Sequence, residues 1–233
     1  MTPRLIEVRN LHYRYPDATP ALTGVDFTLD AGESVILLGA NGSGKTTFLL
    51  HLNGLLLGEG ELAVCGMRVE KRTLPEIRRK VGFVFQNSEE QLFLSTVEDD
   101  AAFGPLNQGL PRDEAYAKAH AALARVGVAH CATRAPHHLS AGEKKRVAIA
   151  GVLAMEPEIL VFDEPTTFLD PLGQRSLIAL LKDLPQAKVV ATHDLALARA
   201  LGTRAVFFEN GAILSEGGAD ELIARHRWDL ARG

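Results

Sequence analysis

The sequence predicts an α/β protein with a parallel-sheet core and a helical section inserted between two halves of that sheet. Three observations carry this. Ser34–Leu38 is an unbroken apolar run that leads through a Gly-rich turn into a helical stretch over Lys45–Leu52. That is the pattern of a strand buried on both faces and feeding a helix. Strand-like runs recur at Ile159–Phe162, Lys188–Ala191 and Ala205–Phe208, with helices beginning near Pro171 and Asp194. Strand, helix and strand at this spacing make parallel crossovers of right-handed sense. Between about Asn87 and Pro157 the strand pattern disappears.

In chain order, Ile6–Arg9 and Val25–Leu29 alternate apolar and polar residues, so both read as half-buried strands. Val81–Phe85 is a further short strand. Arg112–Val126 carries Tyr116, Ala119, His120, Leu123 and Val126 at helical spacing. Glu143–Met155 is rich in Ala, Val and Ile and is also helical, with Pro157 ending it. Ala212–Glu216 reads as a hairpin strand after the Asn210–Gly211 turn. The residues from Arg225 to Gly233 read as a short charged tail.

Composition bounds the function. The chain has 233 residues, 46% hydrophobic and 23% charged, with a net charge of −4. This is globular chemistry with enough apolar residues for a real core. The acidic balance argues against a dedicated nucleic-acid binder. Cys65 and Cys131 stand far apart with no CxxC, which excludes a structural zinc ribbon and demands no oxidising compartment. The longest apolar candidates, Val35–Leu38 and Phe48–Leu57, fall short of a spanning helix, and Met-Thr-Pro-Arg opens no signal peptide. The expected location is the cytoplasm.

Gly39-Ala40-Asn41-Gly42-Ser43-Gly44-Lys45-Thr46 fits G-x-x-x-x-G-K-[ST] between a buried strand and a helix. Glycines let successive N–H groups point at phosphate oxygens, and the following helix offers its N-terminal dipole to the same anion. Lys45 can reach the β- and γ-phosphates of ATP, Thr47 continues the site, and the Thr46 hydroxyl can ligate Mg²⁺. The run Ile159–Phe162 ends in Asp163 and Glu164, two carboxylates at the C-terminal end of a buried strand, where open α/β sheets bind ligands. Asp163 would hold Mg²⁺ through water, and Glu164 would polarise the attacking water.

Further motifs stand around these two in a fixed order. Leu139-Ser140-Ala141-Gly142-Glu143 resembles the LSGGQ signature of the ATP-binding cassette (ABC) ATPases. Gln86 resembles their Q-loop glutamine, Leu169-Asp170 their D-loop, His193 their switch histidine and Tyr15 the aromatic residue that stacks on adenine. The resemblance covers nearly the whole chain. It implies a P-loop NTPase cassette with a RecA-like parallel-sheet core, an N-terminal antiparallel β subdomain and a helical subdomain. Residues 1–86 and 158–225 would form the core with the β subdomain, 87–157 the helical subdomain and 226–233 a tail. It also implies catalytic roles for Glu164, His193, Lys45 and Gln86, with Gln86 sharing Mg²⁺ with Thr46 and Asp163. Two cassettes would face head to tail, so that Ser140 and Gly142 of one complete the ATP site of the other, with Asp170 also binding nucleotide. Both halves are present here, so a homodimer suffices. Ala141 and Glu143 depart from the usual glycine and glutamine. The run Lys144-Lys145-Arg146 reads as a solvated helix face.

The segment Phe83–Phe93, then Thr96–Asp100 and Phe103–Asn107, narrows the resemblance to the ATPases of energy-coupling factor (ECF) transporters, as does Lys144–Met155. Such a relationship implies a peripheral position on the cytoplasmic face of the inner membrane. It implies an integral-membrane coupling subunit and a separate substrate-capture component as partners. Cobalt leads among the implied cargoes, ahead of nickel and biotin. Leu92, Phe93 and Leu94 among Glu89, Glu90, Glu98, Asp99 and Asp100 read as an apolar docking groove with an acidic rim. A soluble ABC protein of repair or translation is the competing class. Gln86 and Ser140 are only 54 positions apart, too close for a coiled-coil insertion, and the chain carries one cassette rather than two.

Overall fold

In a computed structural model, described here over residues 3–228, two sheets share the molecule. The first is antiparallel, in the order β2 (Pro20–Asp30), β1 (Arg4–Arg14), β4 (Glu59–Val64) and β5 (Met67–Arg68). The second has six strands, in the order β10 (Ala212–Gly217), β9 (Arg204–Glu209), β3 (Ser34–Leu38), β8 (Ala187–Ala191), β7 (Ile159–Asp163) and β6 (Val81–Val84). All its pairings are parallel except the β9–β10 hairpin.

Alternation along the central strands divides the core in two. Ile36 and Leu38 of β3, with Leu160 and Phe162 of β7, enter one apolar cluster with the helices. Val35 and Leu37, with Ile159 and Val161, enter a second cluster that includes the antiparallel sheet and Phe48 of α1 (Lys45–Leu52). A strand buried on both faces has no polar alternation, which is why the apolar runs of β3 and β7 are continuous.

On the first face lie α3 (Val97–Asn107), α4 (Arg112–Arg125) and α5 (Ala141–Ala154), packed on one another beside α6 (Pro171–Lys182) and α7 (Leu195–Leu201). α2 (Leu74–Lys80) leads into β6 and buries Ile77 in the second cluster. The last helix among the described residues is α8 (Ala219–Arg225), and His226 and Trp228 after it are packed rather than trailing. His226 stacks on Phe207 with ring centroids 3.7 Å apart, and Trp228 meets the same ring edge-on. The remainder of the tail read from the sequence lies outside the described residues.

Candidate functional site

The site assembles at the C-terminal ends of β3, β7 and β8. Gly39, Gly42 and Gly44 of the loop after β3 all have positive φ. At Gly39 a side chain would collide with the Phe208 carbonyl oxygen, and at Gly44 with that of Ala21. Only glycine lets the backbone curl here. The loop runs into α1 with no side-chain cap, which leaves the first N–H groups of that helix to an outside anion. The Ser43 hydroxyl is buried in the loop and has no partner. An orphaned donor in a cradle of glycines suits a phosphate oxygen.

Lys45 is buried and folds back on the loop, donating to the carbonyls of Gly39 at 2.6 Å and Ala40 at 3.0 Å. Burial lowers its pKa, and the nearby Glu164 and Asp163 oppose that shift. Thr46 Oγ1 donates to Asp163 Oδ2 at 2.9 Å, joining the loop after β3 to the end of β7. Burial raises the Asp163 pKa against that hydrogen bond. A hydroxyl and a carboxylate in contact beside a phosphate cradle form an oxygen donor set suited to Mg²⁺.

Glu164 follows β7 in the left-handed region at φ 45, an uncommon conformation for a side chain of this size. Its N–H donates to Ala191 O at 2.9 Å, fixing it beside β8. From there its carboxylate meets His193, with Oε2 2.7 Å from Nδ1 and 3.2 Å from the His193 N–H. Two residues 29 positions apart are thus brought into contact, so a lone histidine after a strand acquires a partner. Tyr15 reaches the same region, its hydroxyl 2.8 Å from Thr47 Oγ1. Its ring is part-exposed beside Tyr13, at the edge of the phosphate loop's helix.

Other expected site residues stand apart from this cluster. Ser140 caps α5 in a capping box with Glu143, and its hydroxyl donates to Glu143 Oε2 at 2.7 Å. Asp170 caps α6 through Gly173 N–H at 2.6 Å, flanked by the exposed Phe168 and Leu172, 73% and 74% accessible. Gln86 is exposed after β6, and Gly142 lies in the first turn of α5. None of these bonds to the phosphate loop of its own chain among the described residues.

Two expectations need correction. Lys144-Lys145-Arg146 is not a solvated face. Lys145 is 2% accessible and donates to Phe85 O and Gln86 O, while Arg146 donates to Val126 O and to Ser176 Oγ. The acidic rim also differs. Glu98 pairs with His120, Asp99 bonds to Thr96 and Tyr116, and Glu89 pairs with Lys144. The groove itself, about 510 Å³ between α2, α3 and α5, carries Phe83, Phe85, Leu92, Phe103 and the buried Asp100, with Arg78 and Arg79 at its side. Asp100 Oδ1 accepts from the N–H groups of Phe93 and Leu94, while Oδ2 is buried without a partner.

Comparison with known proteins gives the family. The ABC transporter family profile matches residues 22–167. A putative ABC transporter ATP-binding protein of Geobacter sulfurreducens is 48% identical, with 97% of this chain and 94% of that protein aligned. An energy-coupling factor transporter ATP-binding protein, EcfA, of Methanothermobacter thermautotrophicus is also 48% identical, over 94% of this chain and 72% of its own. The structure of cbiO1 from Clostridium perfringens, part of the ABC transporter complex cbiONQ, superposes with a TM-score of 0.85 at 35% identity, covering 99% of this chain and 96% of that one. A dimeric ATP-binding cassette bound to ADP and Pi gives a TM-score of 0.84 at 29% identity, covering 92% and 99%.

Proposed function

The chain belongs to the ABC transporter ATPases, and from that premise we propose that it energises an ECF-type importer, with cobalt as the leading cargo. As an ABC ATPase subunit it binds ATP, and hydrolysis is the activity of its family. The observation that carries the proposed mechanism is the pairing of Thr46 with Asp163 and of Glu164 with His193 around one glycine cradle.

In this reading the loop N–H groups and Ser43 bind phosphate oxygens, and Lys45 leaves its two loop carbonyls to meet the β- and γ-phosphates. Tyr15 stacks on the adenine. Thr46, Gln86 and Asp163 would hold Mg²⁺, which would neutralise charge on the phosphates. Glu164 accepts a hydrogen bond from the attacking water, and His193 keeps that carboxylate oriented while facing the γ-phosphate. Ser140, Gly142 and Asp170 act on the ATP of a second copy. This is supported by the exposed Phe168 and Leu172 beside Asp170. An apolar surface of this kind suits an interface with another copy.

The membrane-facing partner would use the groove between α2, α3 and α5. Its aromatic floor and the orphaned Asp100 oxygen suit a helix with small apolar residues and one N–H-rich cation. No helix among the described residues is long and apolar enough to cross a membrane. A peripheral position on the cytoplasmic face, held by that helix, follows from this reading.

Uptake of radiolabelled cobalt, nickel and biotin by the reconstituted complex tests the assignment. ATP-dependent cobalt uptake exceeding the others is the expected result. Biotin uptake without metal uptake would move the assignment to a vitamin importer, and a chain that never assembles with membrane components would be a soluble ABC protein.

A further inference from the structure

His130, Cys131 and Glu143 form a side-chain cluster that the mechanism above does not use. His130 and Cys131 end the short turn Ala129–Cys131 after α4, and Glu143 stands in the first turn of α5. Cys131 Sγ lies 3.4 Å from Glu143 Oε1, and His130 Nε2 lies 3.6 Å from the same oxygen. The nitrogen, the sulfur and the oxygen all fall within 4.8 Å of one another. Among the described residues no other three histidine, cysteine or acidic side chains converge in this way.

A thiol and an imidazole that both donate to one carboxylate would account for the two contacts. The donor set, however, is that of a metal centre: one sulfur, one nitrogen and one oxygen. Bonds of about 2.0–2.3 Å in tetrahedral geometry hold neighbouring ligand atoms about 3.3–3.8 Å apart. Both contacts to Glu143 Oε1 match such edges. Cys131 is buried and His130 exposed, so the cluster has a closed floor and a solvent side where water can be the fourth ligand. The capping box with Ser140 uses the other oxygen, Oε2, and leaves Oε1 to the ion. Sulfur and imidazole select a borderline-soft ion over Mg²⁺ or Ca²⁺.

We propose that His130, Cys131 and Glu143 bind a divalent transition-metal ion of the zinc class, which clasps the turn after α4 to the start of α5 beside Ser140. The site stands on side chains of one chain and holds whether or not a second copy completes the ATP site. On binding, neutral His130 gives Nε2, ionised Glu143 gives Oε1, and the Cys131 thiol releases its proton to water and binds as thiolate. The ion's two charges are then matched by thiolate and carboxylate. Two positive features oppose it: Arg134, whose charge acts on Cys131, and the N-terminal end of α5. Burial and then Glu143 hold the thiol's pKa up, so the ion must also displace that proton.

The test uses the full chain, stripped of metal and free of nucleotide. Co²⁺ is titrated in as the probe, because a thiolate bound to Co²⁺ absorbs strongly in the near ultraviolet, and Zn²⁺ is then added in competition. Wild type should develop that band, saturating at one ion per chain, and Zn²⁺ should remove it. His130→Ala changes an exposed side chain and should weaken Co²⁺ binding about ten- to a hundredfold or more. Cys131→Ala should abolish the band. Cys65→Ala should keep it, since Cys65 stands elsewhere, beside Glu158. If Cys131→Ala does not fold, Cys131→Ser, close in size and with a hard oxygen, is judged by the same band. Zn²⁺ should raise the unfolding temperature of wild type and leave that of His130→Ala unmoved. No thiolate band at saturating Co²⁺ overturns the inference and leaves a hydrogen-bonded cluster. A band that survives loss of the Cys131 thiol overturns it too, as does an affinity unchanged in His130→Ala.

Discussion

The nucleotide-facing end of the parallel sheet and the groove between α2, α3 and α5 are built on opposite plans. At the first, polar atoms converge: Thr46 on Asp163, His193 on Glu164, Lys45 on its own loop. At the second, aromatic rings line a cleft whose one buried carboxylate has an oxygen to spare. The difference follows from what each must bind. A phosphate chain needs charge and backbone N–H groups held in place beforehand, whereas a helix from another protein needs shape and apolar area with a single point of polar register.

The largest effect should come from Glu164→Gln, which would separate binding from chemistry within the polar half. The amide keeps its size but is a poor base for water. Phosphate release should fall about a hundredfold or more, while ATP binding persists and an ATP-bound dimer accumulates on size-exclusion chromatography. A monomeric variant in saturating Mg-ATP would break the two-copy reading and leave the polar half a self-contained site.

Lys45→Ala and His193→Ala sharpen the same half by dividing it. Losing the ammonium removes a charge-assisted contact of roughly 1.5–3 kcal/mol, about ten- to somewhat over a hundredfold in ATP affinity. Losing His193 leaves Glu164 without its orienting partner, so the fall should appear in kcat with affinity near wild type. Nucleotide titration beside steady-state kinetics distinguishes them. Equal losses of affinity in both variants would contradict the role given to His193.

The two regions also differ in how far the sequence discloses them. The phosphate loop is contiguous, because successive N–H groups must face one anion, so its glycines and Lys45 lie in one eight-residue window. Asp163 and Glu164 are legible because strand ends carry the ligands of parallel sheets. The groove is assembled from four stretches distant in sequence, and no local pattern states which side of α3 faces it. Asp99 and Asp100 are neighbours, yet one bonds to Tyr116 and the other is buried under the Phe93–Leu94 turn. A run of acids therefore read as a rim. Lys145 was hidden for a related reason: a lysine between Lys144 and Arg146 reads as solvated until the Phe85–Gln86 carbonyls are placed against it. The short β4, β5 and α2 escaped because few residues carry their period, and burial in the assembled core determines them instead.

Phe103→Ser would test the apolar half directly. Phe103 is part-exposed and meets Phe93 edge-on at 5.0 Å, so the ring presents area to a partner without supporting the core. Losing an aromatic anchor from an interface costs about 2 kcal/mol or more, which is upwards of tenfold in affinity. Assembly with the membrane subunit and transport should fall by that order, and ATP hydrolysis by the isolated chain should remain near wild type. Full assembly in this variant would remove the groove from the coupling route.

The smallest expected effect lies at Glu143, in the first turn of α5. Its carboxylate accepts from the Ser140 N–H at 2.9 Å and from the Ser140 hydroxyl at 2.7 Å, while Oε1 faces Cys131 and His130. These bonds hold its pKa down to about 2, so it is ionised at any working pH. A serine hydroxyl has one proton, and here that proton is given to the chain's own carboxylate. The γ-phosphate of a second copy must therefore compete with Glu143 for it, and must approach a fixed negative charge at the start of α5. Glu143→Gln keeps a side chain able to complete the capping box and removes the charge. The ATP-dependent dimer should tighten about two- to fivefold, best measured by sedimentation in the Glu164→Gln background, where hydrolysis does not interfere. The same variant should lose a pH-dependent stabilising contribution. A carboxylate whose folded pKa is depressed from 4.5 to about 2 contributes fully above its unfolded pKa and progressively less as pH falls toward 2. Wild type should thus lose its advantage over Glu143→Gln across that acid window in chemical denaturation, and the two should unfold alike at its lower end. A dimer that weakens on substitution would mean that the carboxylate serves the ATP clamp rather than opposing it.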